Sequence, residues 1–112
     1  MAAYSGMITF GASPIQLIDP VNGVVGYPLG QMARRVFAQP LRGNTAAAYV
    51  GLSNVTNTGT GPAIQELAAP ATNTTLDRYD DRAGGGSHNI DPSQFWVNGT
   101  SRQKVKVTIF TI

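Results

Sequence analysis

Cysteine is absent from the chain, which excludes disulfide staples, a thiol nucleophile and thiolate-held zinc or iron–sulfur sites. Charge is scarce as well. Only 12% of residues are Asp, Glu, Lys or Arg, against roughly 25% in ordinary soluble domains. The formal net charge is +2, and no basic cluster is longer than Arg34–Arg35, so nucleic acid is not an expected partner. No apolar run approaches the ~18 residues that a membrane span requires, so no membrane partner is expected either. The opening stretch MAAYSGMITF has neither the basic region nor the apolar core of a secretory leader. The expectation is synthesis in a cytoplasm without export.

What the chain does have is turn formers and short apolar segments. Its 112 residues include 13 Gly and 7 Pro, and 42% are hydrophobic, too many for a disordered chain. The length fits one domain. Gly, Pro and Asn interrupt the sequence too often for ordinary helices. Seven brief segments rich in Val, Ile, Phe, Tyr and Thr read as strands: 7–10, 14–18, 34–41, 46–52, 63–67, 95–97 and 104–112. In the last, Val105, Val107 and Ile109 face one way and Lys104, Lys106 and Thr108 the other, the mark of a sheet with one wet face. In 34–41, Val36 and Ala38 oppose Phe37, Gln39 and Leu41. Pro40 lacks an N–H, so that strand lies at an edge, ends or bulges there. Pro28–Val36, interrupted by Gly30, reads as a turn followed by a strand.

The expected fold is therefore all-β, a single β-sandwich with short strands and long loops. Residues 1–12 form an N-terminal arm or first strand, and 13–112 form the sandwich, with an exposed loop at 78–93. From Phe110 onward both faces are apolar, which predicts that the final residues are covered on two sides, by a second sheet or by a partner.

Residues that could carry chemistry are few. Asp80, Asp81, His88 and Asp91 are the one set that resembles a metal or acid–base site, but their spacing fits no calcium loop and they lie in the segment read as a loop. Catalytic groups have to be rigidly held, so neither an enzyme nor a metal or other cofactor is expected. Gly59–Gly61 and Gly84–Gly86 lack the Lys-Ser/Thr ending of a phosphate loop. The triplets at Asn54, Asn73 and Asn98 fit the glycosylation pattern but read as composition. Phe95 and Trp96 are adjacent, so on a strand one of them points away from the core.

Four pieces occur in order: PIQLI, AAAYVGLSNVTNTGTG, QELAAPAT and IDPSQFWVNGTSRQKVKVTIF. From Ala38 to Ile112 this pattern resembles small structural proteins of tailed bacteriophages, especially capsid decoration (cement) proteins. The loop at 78–89 departs from it. The resemblance implies a jelly-roll-like sandwich, often a trimer, bound to the major capsid protein on the virion surface, with no catalytic residues. The expected contact residues are Tyr4, Met7, Ile8 and Phe10 at the N-terminus, Phe95 and Trp96, and Val107, Ile109, Phe110 and Ile112 at the C-terminus. Other readings are a fibre or neck component, or a carbohydrate-binding module that stacks a surface polysaccharide on Trp96, Tyr79 and Tyr49.

Overall fold

Alternation decides which way each strand faces. Val105, Val107 and Ile109 are fully buried, Lys104 and Lys106 between them are exposed, and Val36 and Ala38 are buried opposite half-exposed Phe37 and Gln39. The computed structural model describes residues 2–70, 75–82 and 89–112. Eight strands are present among them: β1 (Ala3–Thr9), β2 (Ile15–Gln16), β3 (Ala33–Pro40), β4 (Ala48–Gly51), β5 (Gln65–Leu67), β6 (Tyr79–Arg82), β7 (Trp96–Asn98) and β8 (Lys104–Thr111). The helical element among them is a short 3-10 turn, Pro92–Gln94, capped by Asp91, whose carboxylate accepts from the Ser93 N–H. No helix among the described residues is long and apolar enough to cross a membrane.

The strands form two antiparallel sheets, one ordered β1-β8-β3-β6 and the other β2-β7-β4-β5. The pairs nest: β1 with β8, β2 with β7, β3 with β6, β4 with β5, falling alternately in the two sheets. Between the sheets lies one core that includes Ile8, Leu17, Val24, Val36, Val50, Leu67, Val97, Val105, Val107 and Ile109, all at most 1% exposed. Burying each such side chain stabilises the fold by about 2 kcal/mol. No buried side-chain polar atom among the described residues lacks a hydrogen-bond partner.

The apolar terminal strand is covered by its own sheet. β8 runs between β1 and β3, pairing Tyr4 with Ile109 on one side and Val36 with Ile109 on the other. The expectation that everything beyond Phe110 is covered on both sides needs correction. Phe110 lies on the outer sheet face, Thr111 is buried with its hydroxyl on Ala2, and Ile112 is 53% exposed. Pro40 is the last residue of β3 and still pairs with Val105, but it lies past the end of the β3–β6 pairing, so its missing N–H costs no ladder bond. The loop expected at 78–93 is also corrected, because Tyr79–Arg82 pairs with β3 over Arg35–Ala38. The short span of β6 ends where residues outside the described set begin.

A second, smaller apolar cluster sits on the far side of the β2-β7-β4-β5 sheet. There the loop after β4 folds back over the strand. Val55 is 1% exposed and Tyr49 7%, and the Asn98 amide donates to the Val55 carbonyl at 3.1 Å. A Cβ on Gly51 would lie 2.9 Å from the Val55 side chain, so glycine there lets the loop close.

Candidate functional site

The outer face of the β1-β8-β3-β6 sheet is uncovered by any other part of the described chain, and strand register dictates what it displays. Ala3, Phe110, Arg35 and Arg82 form one row across the four strands, and Ser5, Thr108, Phe37 and Asp80 form the next. Met7, Lys106 and Gln39 form a third row, and Thr9 lies beside Lys104. This face carries Arg35, Arg82, Lys104 and Lys106 against Asp80 alone, so the chain's positive surplus is concentrated on it.

Arg35 organises its centre. Its Nε and Nη2 donate to the two Asp80 carboxylate oxygens at 2.8 and 2.9 Å, a bidentate fork. The guanidinium also lies 5.1 Å from the centre of the Phe37 ring and 5.7 Å from that of Phe110, within cation–π range. Arg82 approaches Asp80 from the other side at 3.2 Å. Hydrogen bonding to Arg35, opposed in part by desolvation and assisted by Arg82, brings the Asp80 carboxyl down to about 2. Arg35 is correspondingly held more firmly protonated by the same carboxylate.

The second feature is the connection from β2 to β3. Asp19 starts it by accepting the N–H groups of Val21 and Asn22, both at 2.9 Å, and these bonds lower its pKa. Val24 inserts into the core, while the Tyr27 ring meets Tyr4 edge-on at 5.3 Å and its hydroxyl donates to the Gln31 carbonyl. Anchored at these points, the loop leaves Val21, Val25 and Leu29 exposed at 76, 65 and 87%.

Of the expected contact residues, Ile8, Phe10, Val107 and Ile109 are core, at most 3% exposed, because alternation turns them inward. A partner cannot reach them. Tyr4, Phe95, Trp96 and Phe110 keep part of their surface, and Met7 and Ile112 are exposed at 60 and 53%. Phe95 packs on the core and against Tyr79, so Trp96 is the outward member of its pair. The suggested carbohydrate platform does not assemble. Tyr79 is buried between the sheets and Tyr49 is covered by its loop, each at most 8% exposed.

Of the Asp80, Asp81, His88 and Asp91 set, Asp81 and Asp91 line one surface pocket with Asn89, Ile90, Gln94 and Phe95, while Asp80 stands apart from them. Asp80 points outward to Arg35, Asp81 inward to the Tyr79 hydroxyl at 3.3 Å, and Asp91 caps the 3-10 turn. His88, with Gly84–Gly86, lies outside the described residues. Among the described residues no group of three or more His, Asp or Glu is placed to hold a metal. Burial, then the Asp81 carboxylate, pushes the Tyr79 phenol far up. Asn98 is buried and bonded through its side chain, so its triplet is closed to modification, and Asn73 lies outside the described residues.

Compared with known proteins, the chain matches no protein-family model, no curated protein and no solved structure.

Two features were missed in the sequence: the Arg35–Asp80 clamp and the apolar loop. For the clamp, the signal was opposite charge in ARRVF and RYDDR. For the loop, it was Val and Leu set among Gly and Pro in DPVNGVVGYPLG, where no strand could turn them inward.

Proposed function

We propose that this protein is a structural, non-catalytic component of a bacteriophage virion, binding the outside of the capsid and bridging adjacent major capsid protein subunits. The observation that carries an adhesive role is the anchored loop bearing exposed Val21, Val25 and Leu29. Single exposed apolar residues are ordinary, but three on one tethered loop favour burial against another protein. The positively charged sheet face adds a surface suited to an acidic partner.

The likeness of Ala38–Ile112 to decoration proteins supplies the partner. The nested strand pairs, wound alternately into two sheets, favour the jelly-roll form of the sandwich that the likeness implies. Binding the assembled shell but not free subunits stabilises the shell by mass action, and a homo-oligomer, a trimer by the likeness, multiplies a weak contact.

The test is the copy number in purified virions, measured by quantitative peptide mass spectrometry against the major capsid protein. A simple integer ratio to the capsid subunit is expected. A handful of copies per particle would move the protein to a fibre or neck, and absence from the virion would overturn the proposal.

A further inference from the structure

The four sheet edges differ in a way that bears on association. β2 is two residues long and β5 three, and β5 and β6 carry charge as QEL and YDDR. β1 is seven residues long, AYSGMIT, with no charge, no proline and no bulge in its pairing with β8. Such an edge lacks the devices that normally block strand addition.

Its backbone polarity is fixed by the bonds at its two ends. The Ala2 carbonyl accepts from the Thr111 N–H at 2.8 Å, the Phe10 N–H donates to the Gln103 carbonyl at 2.9 Å, and the Phe10 carbonyl accepts from the Arg102 N–H at 2.9 Å. Even-numbered residues thus face β8. The N–H and C=O groups of Ala3, Ser5, Met7 and Thr9 point away from the sheet. None of these groups has a partner among the described residues.

We infer that this edge is a two-fold self-association site, at which β1 pairs antiparallel with β1 of a second copy across a dyad at Gly6. In that register Ala3 faces the second copy's Thr9 and Ser5 faces its Met7, so every outward N–H and C=O of both strands is satisfied. A dyad at Ser5 would leave Thr9 unpaired, and one at Met7 would leave Ala3 unpaired. The two four-stranded sheets become one continuous sheet.

Nothing on the face opposes this. β1 itself is uncharged, and the nearest cations, Lys104 and Lys106, sit one strand inward on β8. Across the seam the two β8 strands are three strand spacings apart, about 14 Å, beyond the Debye length of about 8 Å at physiological salt. Beneath Gly6 runs the apolar loop. A Cβ on Gly6 would lie 3.6 Å from the Val24 Cα, and exposed Val25 follows one residue later. The loop thus runs alongside the inner side of β1 at the position of the dyad. The inference rests on the sheet edge and not on the capsid reading, and its two-fold contact differs from the three-fold assembly that the resemblance implies.

Sedimentation equilibrium of the purified chain tests it, together with cysteine substitutions that are clean because the chain has no cysteine of its own. Wild type should sediment as a dimer. Met7→Lys, which sets like charges diagonally across the dyad, should raise the dissociation constant on the order of tenfold or more. Ser5→Cys alone and Met7→Cys alone should not cross-link on oxidation, whereas their mixture should give a covalent dimer, because only Ser5 and Met7 are opposite. Circular dichroism confirms that each variant is folded. A monomer at every concentration, a trimer indifferent to Met7→Lys, or cross-linking of either single variant with itself would overturn the inference.

Discussion

Replacing Asp80 with asparagine keeps the shape of the side chain and removes the charge that Arg35 and Arg82 grip. The folded carboxyl titrates at about 2 against an ordinary 3.8. At about 1.4 kcal/mol per unit, that difference would come to about 2.5 kcal/mol if nothing screened it. Arg35 is 31% exposed and Arg82 65%, on an open sheet face, so solvent screening reduces the contribution to about 1 kcal/mol. For a domain of this size that is about 4 °C in Tm. The sign follows from linkage. The folded pKa is depressed, so the unfolded chain binds the proton more readily, and the stabilisation is complete above about pH 5. It declines as pH falls through 3.8 and is gone below about 2. Thermal unfolding of wild type and Asp80→Asn, followed by circular dichroism, should therefore differ by about 4 °C at pH 7 and converge near pH 2. Comparing the two proteins at each pH cancels every other titrating group. A gap that stays constant between pH 7 and pH 2 would refute the electrostatic account and leave only a packing effect.

Two further substitutions separate core from surface and test the β2–β3 loop. Ile8→Ala, at a fully buried position, should cost about 3 kcal/mol of stability in chemical denaturation, while the exposed neighbouring change Met7→Lys should stay within about 0.5 kcal/mol of wild type at protein concentrations low enough that both are monomeric. Gly23→Ala should cost about 2 kcal/mol or more in the same assay, because its Cβ would meet the Asp19 nitrogen and the Leu17 carbonyl oxygen at 2.5 Å and the Gln16 carbonyl oxygen at 2.7 Å, all backbone atoms that cannot swing aside.

The strands that alternate were legible because one face of each is apolar. Ala33–Pro40 and Lys104–Thr111 show this most plainly, and Pro40 is the last residue of its strand. β6 was not legible. Its inward residues are Tyr79 and Asp81 and its outward ones Asp80 and Arg82, so nothing apolar repeats along it, and pairing with β3 holds it in the sheet. The clamp was hidden by the same misreading, since Arg35 and Asp80 meet only once Tyr79–Arg82 is a strand. Among the expected contact residues, Ile8, Phe10, Val107 and Ile109 turn inward. The alternation that separates Val107 and Ile109 from Lys106 and Thr108 already places these two on the core face. Sequence also could not supply the partner of the last strand, because pairing Ala3 with Phe110 is a matter of chain topology and not of local pattern.

That topology leaves one long, uncharged strand at an edge. Nesting β1 with β8 buries the chain's final strand in the middle of a sheet and pushes its first strand to the rim. The apolar C-terminal strand, which looks the more adhesive in sequence, is thereby satisfied at home on both sides. The mild, uncharged stretch AYSGMIT inherits the unpaired backbone instead. Its outward side chains contribute little burial, so the affinity of the edge rests on the hydrogen-bond ladder. A seam of that kind is strong only when both strands are in register, which is why the Gly6 dyad, the one arrangement that leaves no outward group of β1 unpaired, is the arrangement the edge selects.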